Sequence, residues 1–496
     1  MPGPADTAAL RPSDPTPRDL TGVLDVVPGL LVRGDVAGVF VTGCTHDSRA
    51  VRPGDLYAAL PGANAHGATY AARAVAAGAV AVLTDAEGAV QVEGVPVLVA
   101  DPPRAVLGRV ASWVHGDPSG ALTVLGVTGT NGKTTTAFLL EAGLRAAGRR
   151  TGLLGTVLTR IGDEAVASVR TTPEATDLHA LFAVMRERGV DAVAMEVSSH
   201  ALAFGRVDGV RFDTAVFTNL SQDHLDFHAS MEDYFRAKAS LFTPERSGRG
   251  VVNSDDPAGQ RLLASPQVPL VAYGAAGEWR AVDVRLRPDG SDLRLVGPGV
   301  DVPASIRLPG AFNVANALGA LVALITAGIP VEDAVRGIAE LPGVPGRMER
   351  VDAGQPFAAV VDYAHTPDAV TTLLAAVRQV TEGRVIVVLG CGGDRDRGKR
   401  PLMGKAAVDG ADVAVLTSDN PRSEDPLAIL EQMRQPGAVV EPDRRTAITW
   451  AVGQARPGDT VVVAGKGHES GQEVAGVTTP FDDRVVLREA LEGVSA

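Results

Sequence analysis

In Gly126-Val-Thr-Gly-Thr-Asn-Gly-Lys-Thr134 a lysine and a hydroxyl follow three glycines, where an apolar run gives way to a helical pattern. The backbone N–H groups of such a turn, with the helix N-terminus, cradle phosphate oxygens. Lys133 then reaches terminal phosphates and the Thr134 hydroxyl can bind Mg²⁺. The usual phosphate-loop spacing asks for glycine at 127, where Val127 stands. Met195-Glu-Val-Ser-Ser-His200 follows another apolar run, and Glu196 is a carboxylate of the kind that holds Mg²⁺ beside a triphosphate. Asn219-Leu-Ser-Gln-Asp-His-Leu-Asp-Phe-His228 is rich in ligand-type side chains. His224 and His228 stand four apart, but a zinc-protease helix needs Glu at 225, and Leu225 is there.

Lysine is scarce. Of 46 basic residues only five are lysines, namely Lys133, Lys238, Lys399, Lys405 and Lys466. A chain that otherwise uses arginine keeps lysine mainly where a compact amine that can lose its proton is needed. Further polar clusters lie late in the chain: Asp362-Tyr-Ala-His365, Gly392-Gly-Asp-Arg-Asp-Arg-Gly-Lys-Arg400, Asp419-Asn-Pro-Arg422 and Gly465-Lys-Gly-His-Glu469. Each follows an apolar run, and arginine suits bidentate recognition of carboxylates.

The elements that must hold these groups alternate. The pattern predicts a strand over Leu122–Val127, a helix from Lys133 to Ala147 ended by Gly148, a helix over Asp177–Arg188, and strands over Ala192–Val197 and Thr214–Thr218. Ser230 with Asp233 predicts a capped start for a helix over Met231–Phe242, and an apolar helix is expected over Asn313–Thr326. Leu341-Pro-Gly-Val-Pro-Gly346 reads as a hinge, after which strand and helix alternate again. The fold class expected is therefore α/β with mostly parallel sheets, whose ligands bind beyond the carboxyl ends of the strands. Three domains are expected, over residues 1–120, 121–342 and 343–496.

Composition narrows the class. At 496 residues, 45% hydrophobic and 21% charged, the chain is a folded multidomain protein. Cys44 and Cys391 alone build no disulfide framework. A net charge of −13 argues against a broad nucleic-acid surface. No apolar stretch is long enough to span a bilayer, and the first thirty residues lack a signal-peptide core. The expectation is a cytoplasmic protein without membrane insertion.

Taken in order, Gly129-Thr-Asn-Gly-Lys-Thr-Thr135, Met195–His200, Asn219–Asp226, Lys238, Asn313–Asn316, Pro345-Gly-Arg-Met-Glu349 and the late loops resemble the Mur ligases. These are ATP-dependent amide ligases that build the stem peptide of peptidoglycan. The resemblance runs from about residue 40 nearly to the end. It implies a UDP-sugar domain, a central P-loop ATPase domain and a Rossmann-like C-terminal domain for the incoming amino acid, working as a monomer. It implies ATP as substrate, Mg²⁺ as cofactor, and an acyl phosphate intermediate. Lys133, Glu196, His224 and Lys238 match the catalytic set. Lys238 matches the lysine that the family carbamylates (N6-carboxylysine), which with Thr134, Glu196 and His224 holds Mg²⁺. Gly129, Thr130, Asn131, Gly132, Lys133, Thr134 and Thr135, with Asn316, Arg347 and Asp362, match nucleotide positions. Ser48, Thr171, Thr172, Ser198 and Arg206 match the UDP-muramoyl site, although Arg170 and Phe204 stand where some members have Asn and Gln. Arg395, Asp419, Asn420, Pro421, Arg422, Gly465 and Glu469 match the amino-acid site of members that add meso-2,6-diaminopimelate to UDP-N-acetylmuramoyl-L-alanyl-D-glutamate. L-lysine in the same reaction is the alternative. Folylpolyglutamate synthases share the two ATP-handling domains but need no UDP-sugar domain. A non-catalytic regulator would have lost one of the catalytic residues, and none is missing.

Overall fold

The computed structural model describes residues 10–168 and 170–495. Three larger sheets follow one another along the chain. The first has five strands in the order Leu31–Arg33, Val97–Val99, Ala81–Thr84, Asp55–Ala58, Gly43–Thr45, parallel apart from the first. The central sheet has eight. Thr123–Thr128 lies in its middle between Ala192–Glu196 and Thr214–Phe217, with Thr151–Leu154 on one side and Gly250–Asn253 and Leu270–Tyr273 on the other. The last sheet has six, in the order Glu349–Arg350, Ala358–Asp362, Thr460–Ala464, Val385–Cys391, Val413–Ser418, Val439–Val440, and only the first of these runs antiparallel.

Burial on both faces explains the unbroken apolar runs. Along Thr123–Thr128, Leu125 and Val127 enter one core and Val124 the other. Ala192 and Ala194 likewise face one layer, Val193 and Met195 the opposite one. In Val385–Cys391, Val385, Val387 and Leu389 point one way, Ile386 and Val388 the other. A strand covered by helices on both sides has no polar face to alternate with. The apolar helix Ala311–Thr326 inserts Val314, Leu318, Leu321 and Leu324 into the central core. Each such side chain contributes about 1.5–3 kcal/mol of burial.

Element ends differ modestly from the sequence pattern. The helix at Met231 stops at Ala239, not Phe242, because the next residues tighten into three-residue turns ahead of Pro244. Its start is as expected, with Ser230 accepting from the N–H of Asp233. A three-stranded antiparallel unit over Arg280–Arg287, Gly290–Gly297 and Val300–Ile306 was not anticipated. Nor was the hairpin Gly471–Val474 with Val477–Pro480.

Candidate active site

The phosphate loop starts later than its usual spacing suggests. Val127 still belongs to the strand and is fully buried, so the turn falls on Gly129 and Gly132, with φ of 153° and 87°. A side chain at Gly129 would collide with Thr218, and one at Gly132 with Asn316. The departure at 127 is a shift of the turn, and the loop keeps its form. Thr218 Oγ1 donates to the carbonyl of Asn131 at 2.6 Å, and Asn219 Oδ1 accepts from Asn131 N at 2.8 Å. The neighbouring strand end thus clamps the loop from the side.

A cavity of about 510 Å³ opens above it. Thr130 to Thr135, Glu196, His224, Lys238, Asn316, Arg347 and Asp362 all line it; Gly129 contributes its carbonyl underneath. That carbonyl accepts from Lys133 Nζ at 2.8 Å and from Lys238 Nζ at 2.7 Å. Lys238 is 1% exposed, and its ammonium lies 4.4 Å from the centre of the Tyr234 ring. Burial pulls its amine well below the ordinary lysine value, and the charge of Lys133 adds to that. Glu196 gathers hydroxyl and amide donors: Thr134 Oγ1 at 3.0 Å on Oε2, and Thr156 N at 2.7 Å on Oε1. Arg347 comes from beyond the hinge, donates to Thr134 Oγ1 at 3.1 Å, and lies 4.2 Å from the Tyr363 ring centre. Asp362 accepts from the N–H groups of Met348 and Ala364, and burial raises its pKa.

A second cavity of about 650 Å³ adjoins the first, sharing Thr156, Thr171, Ser198, Asp223, His224, Tyr363 and His365. Thr171, Thr172, Ser198 and Arg206 line it on one side, and Arg395, Asp419, Asn420, Arg422, Gly465 and Glu469 on the other. Ser48 lines neither cavity; it lies in the first domain, where Arg73 donates to its hydroxyl. Pro421 also lines neither, and its carbonyl abuts Gly393. Glu174 sits between Arg104 at 3.0 Å and Arg206 at 2.8 Å. Burial would raise its pKa, but the two guanidiniums outweigh that and lower it. Arg422 adopts φ 54°, a left-handed conformation costly for a side chain with a Cβ. It is held there by N–H donation to Glu473 O at 3.0 Å and by its Nη1 donating to Gly393 O at 2.7 Å.

Several lining residues were not singled out from sequence as site residues: Asp223, Tyr363, His365, Lys399 and His200. Burial holds His365 neutral, with its pKa lowered to about 4, and its Nδ1 lies 2.9 Å from the Tyr363 carbonyl. Burial also lowers His224 to about 3. For Asp223 burial pushes upward, yet its pKa is lowered overall, with the charge of Lys399 and the N–H of His224 among the causes. The scarcity of lysine was the available signal for Lys399 and Lys466. Lys405 is the bland case, an exposed lysine paired with Asp409. His228 packs at 4.9 Å from the Tyr234 ring, and among the described residues no cluster of three His, Cys, Asp or Glu side chains forms a metal site.

Three family models match in sequence order: Mur ligase family, catalytic domain, over residues 40–113; Mur ligase middle domain over 127–324; and Mur ligase, glutamate ligase domain, over 346–467. A UDP-N-acetylmuramoyl-L-alanyl-D-glutamate--2,6-diaminopimelate ligase of Streptomyces avermitilis is 60% identical, over 91% of this chain and 92% of the relative. A UDP-N-acetylmuramyl-tripeptide synthetase of Leifsonia xyli subsp. xyli is 47% identical over 99% of both. A solved UDP-N-acetylmuramoyl-L-alanyl-D-glutamate--2,6-diaminopimelate ligase superposes with a TM-score of 0.68 at 34% identity, covering 96% of this chain and 99% of that one. A folylpolyglutamate synthase of Mycobacterium tuberculosis shares the fold at 20% identity and TM-score 0.60, over 73% of this chain and 92% of its own.

Proposed function

The chain belongs to the Mur ligase family, and from that premise we propose that it joins meso-2,6-diaminopimelate to UDP-N-acetylmuramoyl-L-alanyl-D-glutamate at the expense of ATP, in peptidoglycan precursor synthesis. The observation that carries the reading is the junction of the two cavities: a phosphate loop opens on one side and an arginine-bearing pocket on the other.

The reaction divides accordingly. A carboxylate oxygen of the D-glutamyl residue takes the γ-phosphoryl group, giving an acyl phosphate and ADP. The amine nitrogen of the amino acid, having lost a proton, attacks the acyl carbon. The C–O bond to phosphate breaks, leaving an amide and inorganic phosphate. Such chemistry needs positioning and charge neutralisation more than a covalent enzyme intermediate. Lys133, Asn316, Arg347 and Asp362 bind the nucleotide. Thr171, Thr172, Ser198 and Arg206 face the UDP-muramoyl peptide, with Ser48 reaching it from the first domain. The hard oxygen donors of Thr134 and Glu196, 3.0 Å apart beside the loop, fit Mg²⁺. Together with His224 and a carbamate on Lys238 they would hold it, and the ion supplies neutralisation of the transferring phosphoryl group. The burial that lowers the pKa of the Lys238 amine favours its nucleophilic form and so suits carbamate formation, which a guanidinium does not undergo.

Arg422 and Arg395 clamp the distal carboxylate of diaminopimelate, which L-lysine lacks; Asp419 and Glu469 take ammonium groups. The second reading is L-lysine as the added amino acid; the name of one relative, the tripeptide synthetase, leaves the amino acid open. A competition assay with both amino acids at equal concentration decides between them, and mainly lysine-containing product would overturn the first. Arg422→Ala should raise KM for diaminopimelate far more than KM for ATP. The domain division at 1–120, 121–342 and 343–496 is supported by the three larger sheets, whose strands lie within 31–99, 123–273 and 349–464. We propose a monomeric cytoplasmic enzyme; no helix among the described residues is long and apolar enough to cross a membrane.

A further inference from the structure

Lys466 lies beneath the second cavity, in the loop after strand Thr460–Ala464, with its side chain 0% exposed. An ammonium has three N–H donors, and each here finds an acceptor on a different segment. Nζ donates to Asn420 Oδ1 at 3.0 Å, to Glu469 Oε2 at 3.2 Å and to the carbonyl of Gly471 at 2.7 Å. Asn420 Nδ2 donates to that same Glu469 oxygen at 2.7 Å, and Asn420 Oδ1 also accepts from Glu473 N at 3.1 Å. One buried cation therefore ties together the Asp419–Arg422 loop, the Gly465–Glu469 loop and the first strand of the late hairpin. That strand in turn holds Arg422 in its left-handed conformation.

The tripod also explains the residue type. A planar guanidinium presents its donors in a fixed fork, whereas three acceptors disposed around one point suit a compact ammonium. In a chain with five lysines among 46 basic residues, the geometry here demands an ammonium.

We infer that Lys466 is the positioning residue of the amino-acid site: with Asn420 it occupies Oε2 of Glu469, so that Oε1 is the oxygen left to receive the incoming ammonium. Among the described residues Oε1 makes no hydrogen bond within the protein. Lys466 touches no substrate itself. It acts through Glu469 and Asn420.

This inference rests on the proposed amino-acid site, and the wild-type enzyme separates the two: failure of wild type to use meso-diaminopimelate overturns that site, whereas the variants test Lys466. Steady-state phosphate release is measured for wild type, Lys466→Met, Glu469→Gln and the double variant, with diaminopimelate and ATP each varied, and thermal melting is followed in parallel. Lys466→Met should raise KM for diaminopimelate about 10- to 100-fold, as expected when buried acceptors lose their donor, with KM for ATP within about twofold. In the Glu469→Gln background it should add little, because both changes act on one contact. Lys466→Arg should not rescue. Unchanged KM for diaminopimelate, an equal rise in both KM values, or the same effect in both backgrounds would overturn the inference. Should Lys466→Met not fold, Lys466→Gln carries the comparison; loss of fold in both makes Lys466 a folding residue and also overturns it.

Discussion

Two residues illustrate how burial sets chemistry. Lys238 and Lys133 share the carbonyl of Gly129, so two amines crowd one acceptor in a dry niche. Lys238→Arg should keep fold and nucleotide binding yet lose on the order of 10²–10³ in kcat, the cost of one lost charge stabiliser. Near-normal turnover would remove the carbamate argument. His179 shows the same force acting on stability. It is 0% exposed, lies with Nε2 3.0 Å from the Asp208 carbonyl, and burial lowers its pKa to about 4. The unfolded chain therefore binds the proton more readily. Its contribution is complete above pH ~6.5 and is lost as pH falls toward 4, by about 3 kcal/mol at most. Denaturant titrations between pH 7 and 4.5 should show that slope, and His179→Gln should reduce it by the share of this one group, since His224 and His365 are lowered by burial in the same way.

At the scale of elements, strand ends need anchors before their loops can present side chains. Arg444, on helix Arg444–Gln454, is fully buried and pairs with Asp483 through Nε at 2.8 Å and Nη2 at 2.7 Å. It also donates to the carbonyls of Ser418 and Ala464, the last residues of the two strands that flank Val385–Cys391. The loops leaving those strands are the Asp419–Arg422 and Gly465–Glu469 segments. Arg444→Met would leave Asp483 buried and unpaired, which costs about 3–5 kcal/mol. Replacing both partners by apolar residues should recover much of the melting temperature, since the uncompensated charge, and not the missing pair, is what destabilises. A double variant as unstable as the single one would contradict this.

Across the whole molecule, the site exists only where two sheet edges meet. Arg347 lies 213 residues from Thr134 and still donates to its hydroxyl at 3.1 Å. Bound nucleotide should therefore bridge the parts on either side of the Leu341–Gly346 connector. A non-hydrolysable ATP analogue is expected to slow proteolysis of that connector, and Arg347→Ala to abolish the protection. Cleavage at equal rates with and without nucleotide in wild type would show that the connector does not respond to the first cavity.

Much of this was legible along the chain. Strand–loop–helix alternation, the phosphate loop, the late arginine loops and the rarity of lysine all come from local period and residue chemistry, which adjacent residues suffice to specify. The antiparallel unit at 280–306 was readable in principle, since Arg280-Ala-Val-Asp-Val-Arg-Leu-Arg287 alternates and Pro288-Asp-Gly290 turns, but its strands lie outside the parallel pattern. Position in the site was a different matter. That Lys466 is a buried tripod while Lys405 is a solvated surface lysine, that Ser48 stands apart from the residues grouped with it, and that His365 and Asp223 lie on the wall between two cavities are tertiary facts. The physical reason is that burial and distance between remote segments follow from how whole sheets pack, and no short window of sequence contains that packing.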